Sequence, residues 1–100
     1  MKVRQLPGAT ADLEEALEFY ARIDAALVDA LLDEVVTAQR RIVEFPRAWH
    51  PLGKGKLRRL LLGRFPYAVV FRASTDEVLI VAYAHTRRLP GYWRFRLKRA

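Results

Sequence analysis

An α+β fold in two layers is predicted, with an N-terminal strand and an antiparallel α-helical hairpin packed on a small, mostly antiparallel sheet. Three observations predict it. Residues 10–45 place apolar side chains at helical spacing, residues 57–85 read as short β-branched and aromatic runs, and the opening residues 2–6 alternate. The expected order is β-α-α-β-β-β with a basic C-terminal tail. A length of 100 residues fits a single domain spanning 1–100.

The opening KVRQL (2–6) alternates and reads as a strand. TADLEEALEFYAR (10–22) reads as a helix with Thr10 as N-cap, and Asp12, Glu14 and Glu15 then fall in its first turn, where negative charge complements the helix dipole. Leu13, Ala16, Leu17 and Tyr20 form its apolar stripe. A second helix is capped by Asp24. Its stripe runs through Leu27, Val28, Leu31, Leu32, Val35, Val36, Ile42 and Val43, interrupted only by Gln39. Val36 lies inside that stripe, so burial is expected, and Val36→Asp is expected to prevent folding. The helix stops at Phe45-Pro46, because the residue before proline is pushed out of helical geometry. RAWHPLGKGK (47–56) has no periodicity and reads as a loop. LRRLLLG (57–63), YAVVFRA (67–73) and VLIVAYAH (78–85) read as strands, with STDE (74–77) as a turn. The last strand is apolar enough to be covered on both faces.

Composition narrows the function classes. There is no cysteine, which removes disulfides and thiolate metal sites and fits a reducing compartment. No apolar run approaches the roughly 20 residues that span a bilayer, so a cytoplasmic protein without membrane contact is expected. Residues 1–45 hold five Lys/Arg against nine Asp/Glu, whereas residues 46–100 hold thirteen against two. A chain with an acidic half and a strongly basic half should draw nucleic acid or an acidic partner to its basic face.

The basic half offers the candidate site residues. Lys54 and Lys56 sit on a glycine-flanked loop ahead of a strand, and Arg58, Arg59 and Arg64 lie on or beside that strand. His85 ends the last strand, with Arg87, Arg88, Tyr92, Trp93 and Arg94 soon after. If consecutive strands pair, these groups can share one face. Lysine and arginine neutralise phosphate, rings stack on bases, and His85 can move a proton near neutral pH. Together they suit cleavage of RNA through its own 2′-hydroxyl, a reaction that needs no metal; no metal site and no cofactor are expected. In the blander reading, His85 is a structural hydrogen-bonder, the lysines are solvated, and Tyr92 and Trp93 pin the tail to the core. In HTRRLPGYW (85–93), Pro90 and Gly91 would turn the chain so that the rings fold back and the cations stay outside.

ADLEEALEFYA, a long second helix ending in VEFP, LRRLLLGRFPYAVVFRA and VLIVAYAHTRRLPGYW occur in this order over nearly the whole chain. In this the sequence resembles toxins of the RelE/ParE superfamily from bacterial type II toxin–antitoxin systems, on the ParE-like, plasmid-stabilisation side. The resemblance implies growth inhibition until a cognate antitoxin binds, a small partner whose acidic or amphipathic segment would lie on the basic face. It implies DNA gyrase as target for a ParE-like member, or ribosome-bound mRNA for a RelE-like endoribonuclease. Carried over by position, Lys54 and Lys56, Arg87 or Arg88, and Tyr92 would be the RelE-like catalytic set. Ala68 stands where such enzymes carry an arginine, which favours the gyrase reading, while His85 matches the histidine that some ribosome-dependent relatives use. On that reading His85, Arg87, Arg88 and Tyr92 are the catalytic candidates. Lys54, Lys56, Arg58, Arg59, Arg64 and Arg94 are the target- or RNA-binding ones. A basic binding module without toxicity is the remaining alternative.

Overall fold

The computed structural model describes residues 1–53 and 55–99, the side chain of Arg99 excepted. Lys54 therefore lies outside the described residues. The elements are β1 (Lys2–Gln5), α1 (Pro7–Ala21), α2 (Ala25–Glu44), β2 (His50–Pro51), β3 (Leu57–Leu61), β4 (Tyr67–Ala73), β5 (Glu77–His85) and a 3-10 helix over Arg94–Arg99. The sheet order is β1-β5-β4-β3-β2; β1 runs parallel to β5 and the other pairs are antiparallel. This is the α+β architecture the sequence predicts. One addition falls in the expected 47–56 loop, where His50–Pro51 pairs briefly with Arg59 and Arg58.

The first helix begins earlier than its polar signal. Pro7 occupies the first turn, where its fixed φ suits a helix and its missing N–H costs nothing. The N-cap is Leu6, whose carbonyl accepts the N–H groups of Ala9 (2.9 Å) and Thr10 (3.1 Å). Thr10 is thus a helical residue rather than the cap. Asp12 moves from the expected dipole-facing turn into the helix body, on its buried side. Asp24 does cap α2, accepting the Ala26 N–H at 2.9 Å.

In α2 the buried ridge is Leu31, Val35, Ala38 and Ile42, a narrower stripe than the sequence suggests. Val35 is 4% exposed, but Val36, one residue further round the helix, is 53% exposed. The expected burial of Val36 is overturned, and with it the expected failure to fold. Val36→Asp is instead expected to stay soluble, with unfolding free energy within about 0.5 kcal/mol of the parent. A urea midpoint shifted far below the parent's would show that the packed face has been misplaced.

Gln39, the polar break in the stripe, is half-buried and has a structural reason. Its Nε2 donates to the Tyr83 hydroxyl (2.8 Å) and to Gln5 Oε1 (3.3 Å), and the Tyr83 hydroxyl donates to Gln5 Oε1. Burial pushes the Tyr83 phenol up to about 12 from its ordinary 10.0, opposed by the Gln39 hydrogen bond. Above pH 10 the unfolded chain releases this proton while the folded chain keeps it. The stabilisation is therefore complete below about pH 10 and is lost as pH rises to about 12, a loss of about 3 kcal/mol. Urea midpoints at about pH 9 and about pH 11.5 should show this fall in the parent and a smaller one in Tyr83→Phe.

The sheet is covered on both faces, as the composition of β5 predicts. Val69, Phe71, Val78, Ile80 and Tyr83 face the helical hairpin. Leu57, Val70, Leu79, Val81 and Ala82 face the other way, where Leu6 and Trp93 complete a second core. A register shift between Val70 and Phe71 opposes them to Ala82 and Ile80, leaving Val81 as an extra residue. The bulge is why Val81 and Ala82, neighbours in sequence, both turn to the second core.

Candidate functional site

The site grows from the end of β5. Strand β1 pairs with β5 as far as Gln5 opposite Ile80, and Leu6 adds one more bond to the Ile80 carbonyl before the chain turns into α1. Beyond that point the β5 edge has no neighbouring strand among the described residues, and buried backbone groups there need other partners. Asp12 and Arg96 supply them. Asp12 Oδ2 accepts the Tyr83 N–H (3.1 Å), and Arg96 Nη1 donates to the Val81 carbonyl (3.1 Å).

The two side chains also bind each other in a bidentate pair, Nη1 to Oδ2 at 2.7 Å and Nη2 to Oδ1 at 3.0 Å. Asp12 is only 8% exposed. The hydrogen bond to Asp12 is the main reason the Arg96 guanidinium is held above its ordinary value. Gly8 makes room for this arrangement: a Cβ there would lie 2.5 Å from Arg96 Nε. The pair ties the tail to α1 and to β5 together. Sequence reading missed it because the helix start was placed at Thr10; the signal was there, since Asp12 is three residues past Ala9 and four before Ala16, both buried.

The tail returns as the sequence predicts. Gly91 has φ +80, a left-handed conformation that favours glycine, and completes the turn after Pro90. Trp93 is 5% exposed in the second core, with half-buried Tyr92 and Leu97 beside it. The Tyr92 hydroxyl donates to Asp12 Oδ2 at 3.4 Å. Burial first, then the Asp12 carboxylate, pushes the Tyr92 phenol up, against the opposing pull of Arg88 and Arg96.

Above this support stands the charged cluster. His85 is half-buried, with its ring edge-on to Tyr67 at 5.1 Å between centroids. Its Nδ1 accepts the Arg87 N–H at 3.1 Å, so the neutral ring carries its proton on Nε2. Arg87 and Arg88 are exposed, and the Arg88 guanidinium lies 3.8 Å from the Tyr92 ring centroid. His85 and Arg88 line two clefts. One, of about 310 Å³, opens toward α1 beside Tyr67, Glu15 and Arg87. The other, of about 130 Å³, lies on the opposite face beside Arg59, Ala68 and Tyr92.

The remaining candidates are dispersed. Arg64 is exposed in the turn between β3 and β4, where its N–H bonds Glu34 on α2. Arg94 is exposed and faces the Trp93 ring at 5.0 Å. Lys56 and Arg58 lie at the other end of the sheet, because Leu57 is in register with Arg72 whereas His85 is in register with Tyr67. Tyr67 to Ala73, level with Lys56, is six steps of β4, about 20 Å at the usual rise of a strand; Tyr67 to Phe71, opposite Arg58, is four, about 13 Å. Arg58 is half-buried, and its Nη1 donates to the Trp49 carbonyl at 2.8 Å. Among the described residues no group of His, Asp or Glu is placed to hold a metal ion, and no helix is long and apolar enough to cross a membrane.

A helical hairpin on a mixed sheet, with a basic cluster where β5 ends and a tail folded under it, is the arrangement expected from the resemblance to the RelE/ParE class of small toxins. Comparison with known families makes this specific: residues 3–98 match the family described as ParE toxin of type II toxin-antitoxin system, parDE. The chain belongs to that family. Among solved structures, the fold is similar to a chain of the chromosomal ParDE TA system from P. aeruginosa. The TM-score is 0.73 at 21% identity, over 87% of this chain and 97% of that one. No curated protein sequence matches.

Proposed function

We propose that this chain arrests growth by blocking DNA gyrase through the His85–Arg88 end, in the cytoplasm, until a cognate antitoxin covers its basic half. The observation that carries an interface rather than a cleavage centre is the separation of the cations. By the strand rise Lys56 lies about 20 Å along the sheet from His85 and Arg58 about 13 Å, with the Arg58 guanidinium held on the Trp49 carbonyl, which sets both apart from the His85 cluster. Two further features agree. Tyr92 holds its proton more tightly than an ordinary phenol, the opposite of what a general base needs. Ala68 is buried where RelE-like enzymes carry an arginine. Naming gyrase rests on the resemblance to ParE-like toxins.

A ribosome-dependent endoribonuclease is the second reading, favoured by one observation: Arg59, His85, Arg88 and Tyr92 line the same cleft. Purified chain in a gyrase supercoiling reaction, beside induction of the chain alone in cells, separates the two. Lost supercoiling with filamentation and DNA damage supports the proposal. Immediate arrest of translation with cleaved ribosomal mRNA would overturn it, and no effect on growth would leave a binding module.

A further inference from the structure

The turn that joins β5 to the folded-back tail displays a leucine that the turn itself does not require. Leu89 is 77% exposed, the most exposed large apolar side chain among the described residues. It is packed in neither core, so the fold gains nothing from an aliphatic group there. Tight turns favour Gly, Pro, Asn, Asp and Ser, each for a backbone reason that leucine lacks. The mount beneath it is fixed. The Thr86 N–H donates to the Pro66 carbonyl at 2.8 Å, and the Arg88 N–H donates to the His85 carbonyl at 3.0 Å. Pro90 restricts the backbone of the residue before it, and Gly91 at φ +80 leads the chain down to buried Trp93. Arg87 and Arg88 stand directly before Leu89. The Arg88 guanidinium is held on the Tyr92 ring, whose hydroxyl is bonded to Asp12.

From this display we infer that Leu89 is the apolar anchor of the target interface, entering a dry pocket on a protein whose rim offers carboxylates to Arg87 and Arg88. Two observations choose a protein surface over nucleic acid. An aliphatic side chain neither neutralises phosphate nor stacks on a base, so on RNA or DNA the most prominent group of the turn would contribute nothing. The neighbours of Leu89 also suit a protein. An apolar centre with arginines at its edge is the pattern of protein interfaces, and each guanidinium can take a carboxylate through two hydrogen bonds. No carboxylate lines the cleft beneath Leu89, where Leu52, Arg59, Arg88 and Trp93 are among its neighbours, so an acidic rim meets no like charge there. Because the turn is already pinned, docking orders little of it, and burial of the leucine appears directly in affinity. Assigning the pocket to gyrase rests on the reading above. The anchoring role of Leu89 rests only on a protein being what this end meets.

The test substitutes Leu89 in the full chain and reads two effects, inhibition of gyrase supercoiling with purified components and growth arrest in cells at equal expression. Leu89→Asp should weaken inhibition at least about tenfold, because it loses the buried side chain and repels the acidic rim. Leu89→Lys should also weaken it at least about tenfold, although it adds a cation to a basic surface. Leu89→Met, still apolar and of similar volume, should lose least. The melting temperatures of all three should stay within about 2 °C of the parent's, since the side chain is exposed. Leu89→Lys as active as the parent, or more so, would show that the turn meets nucleic acid and would overturn the inference. Leu89→Asp at parental activity would overturn it too. So would a loss of activity matched by a large fall in melting temperature, which would make the leucine a support of the turn. Failure of the gyrase reading looks different: the parent then arrests growth without affecting supercoiling. In that case the growth assay decides, and Met ranking above Lys and Asp supports the anchor, whereas any other order overturns it. A parent inactive in both assays overturns both readings.

Discussion

Asp12→Ala is expected to remove about 3–5 kcal/mol of stability, enough to unfold much of a domain whose total is about 5–15 kcal/mol. Three groups lose their acceptor at once. Arg96 keeps its charge in a site where its side chain is 14% exposed, the Tyr83 N–H is left buried, and the Tyr92 hydroxyl is released. The cost lies chiefly in stranding Arg96, not in the intrinsic worth of the pair. Asp12→Leu combined with Arg96→Met should therefore recover part of the loss. Recovery should be incomplete, because the Tyr83 N–H and the Val81 carbonyl still need partners at an edge that no strand covers. Urea unfolding of the two variants and the parent measures this. A single variant within 1 kcal/mol of the parent, on the order of a surface pair, would mean that the tail is not latched there.

What sequence reading could and could not reach follows the range of the interactions. Helices, strands and the returning tail were legible because each is fixed by local period and by punctuation such as Phe45-Pro46 and Pro90-Gly91. Gln39 was noticed as a break in a stripe, but its partners Gln5 and Tyr83 are 34 and 44 residues away in sequence. Arg96 looked like the other arginines of the tail; only the path of the tail across β5 selects it. Lys56 and Arg58 stand apart from the His85 cluster, which Arg59 joins, for a reason that strand direction alone supplies. In an antiparallel run β3 and β5 start at the same end, so residues before β3 and residues after β5 must lie at opposite ends.

The largest functional effect is expected from the double variant Arg87→Ala, Arg88→Ala, which should abolish growth arrest while leaving the fold intact. Both side chains are exposed, and the Arg87 backbone, which holds the His85 ring, is unchanged by the substitution. Arg88 loses its contact with the Tyr92 ring, an exposed cation–π interaction worth about 0.5–1 kcal/mol, so the melting temperature should drop by only a few degrees. Trp93→Ala is the contrasting case. It empties a core position and should cost about 3–5 kcal/mol, so any loss of toxicity would arrive together with a loss of folded protein. The two variants thus separate the proposed target surface from the support beneath it. His85→Gln then tells the two target readings apart. In an interface it exchanges one polar ring for an amide and should weaken gyrase inhibition only modestly. In a nuclease whose proton transfers depend on the imidazole it should abolish cleavage while ribosome binding persists. A double arginine variant that arrests growth as strongly as the parent, at equal expression, would exclude this end of the sheet as the contact with the target.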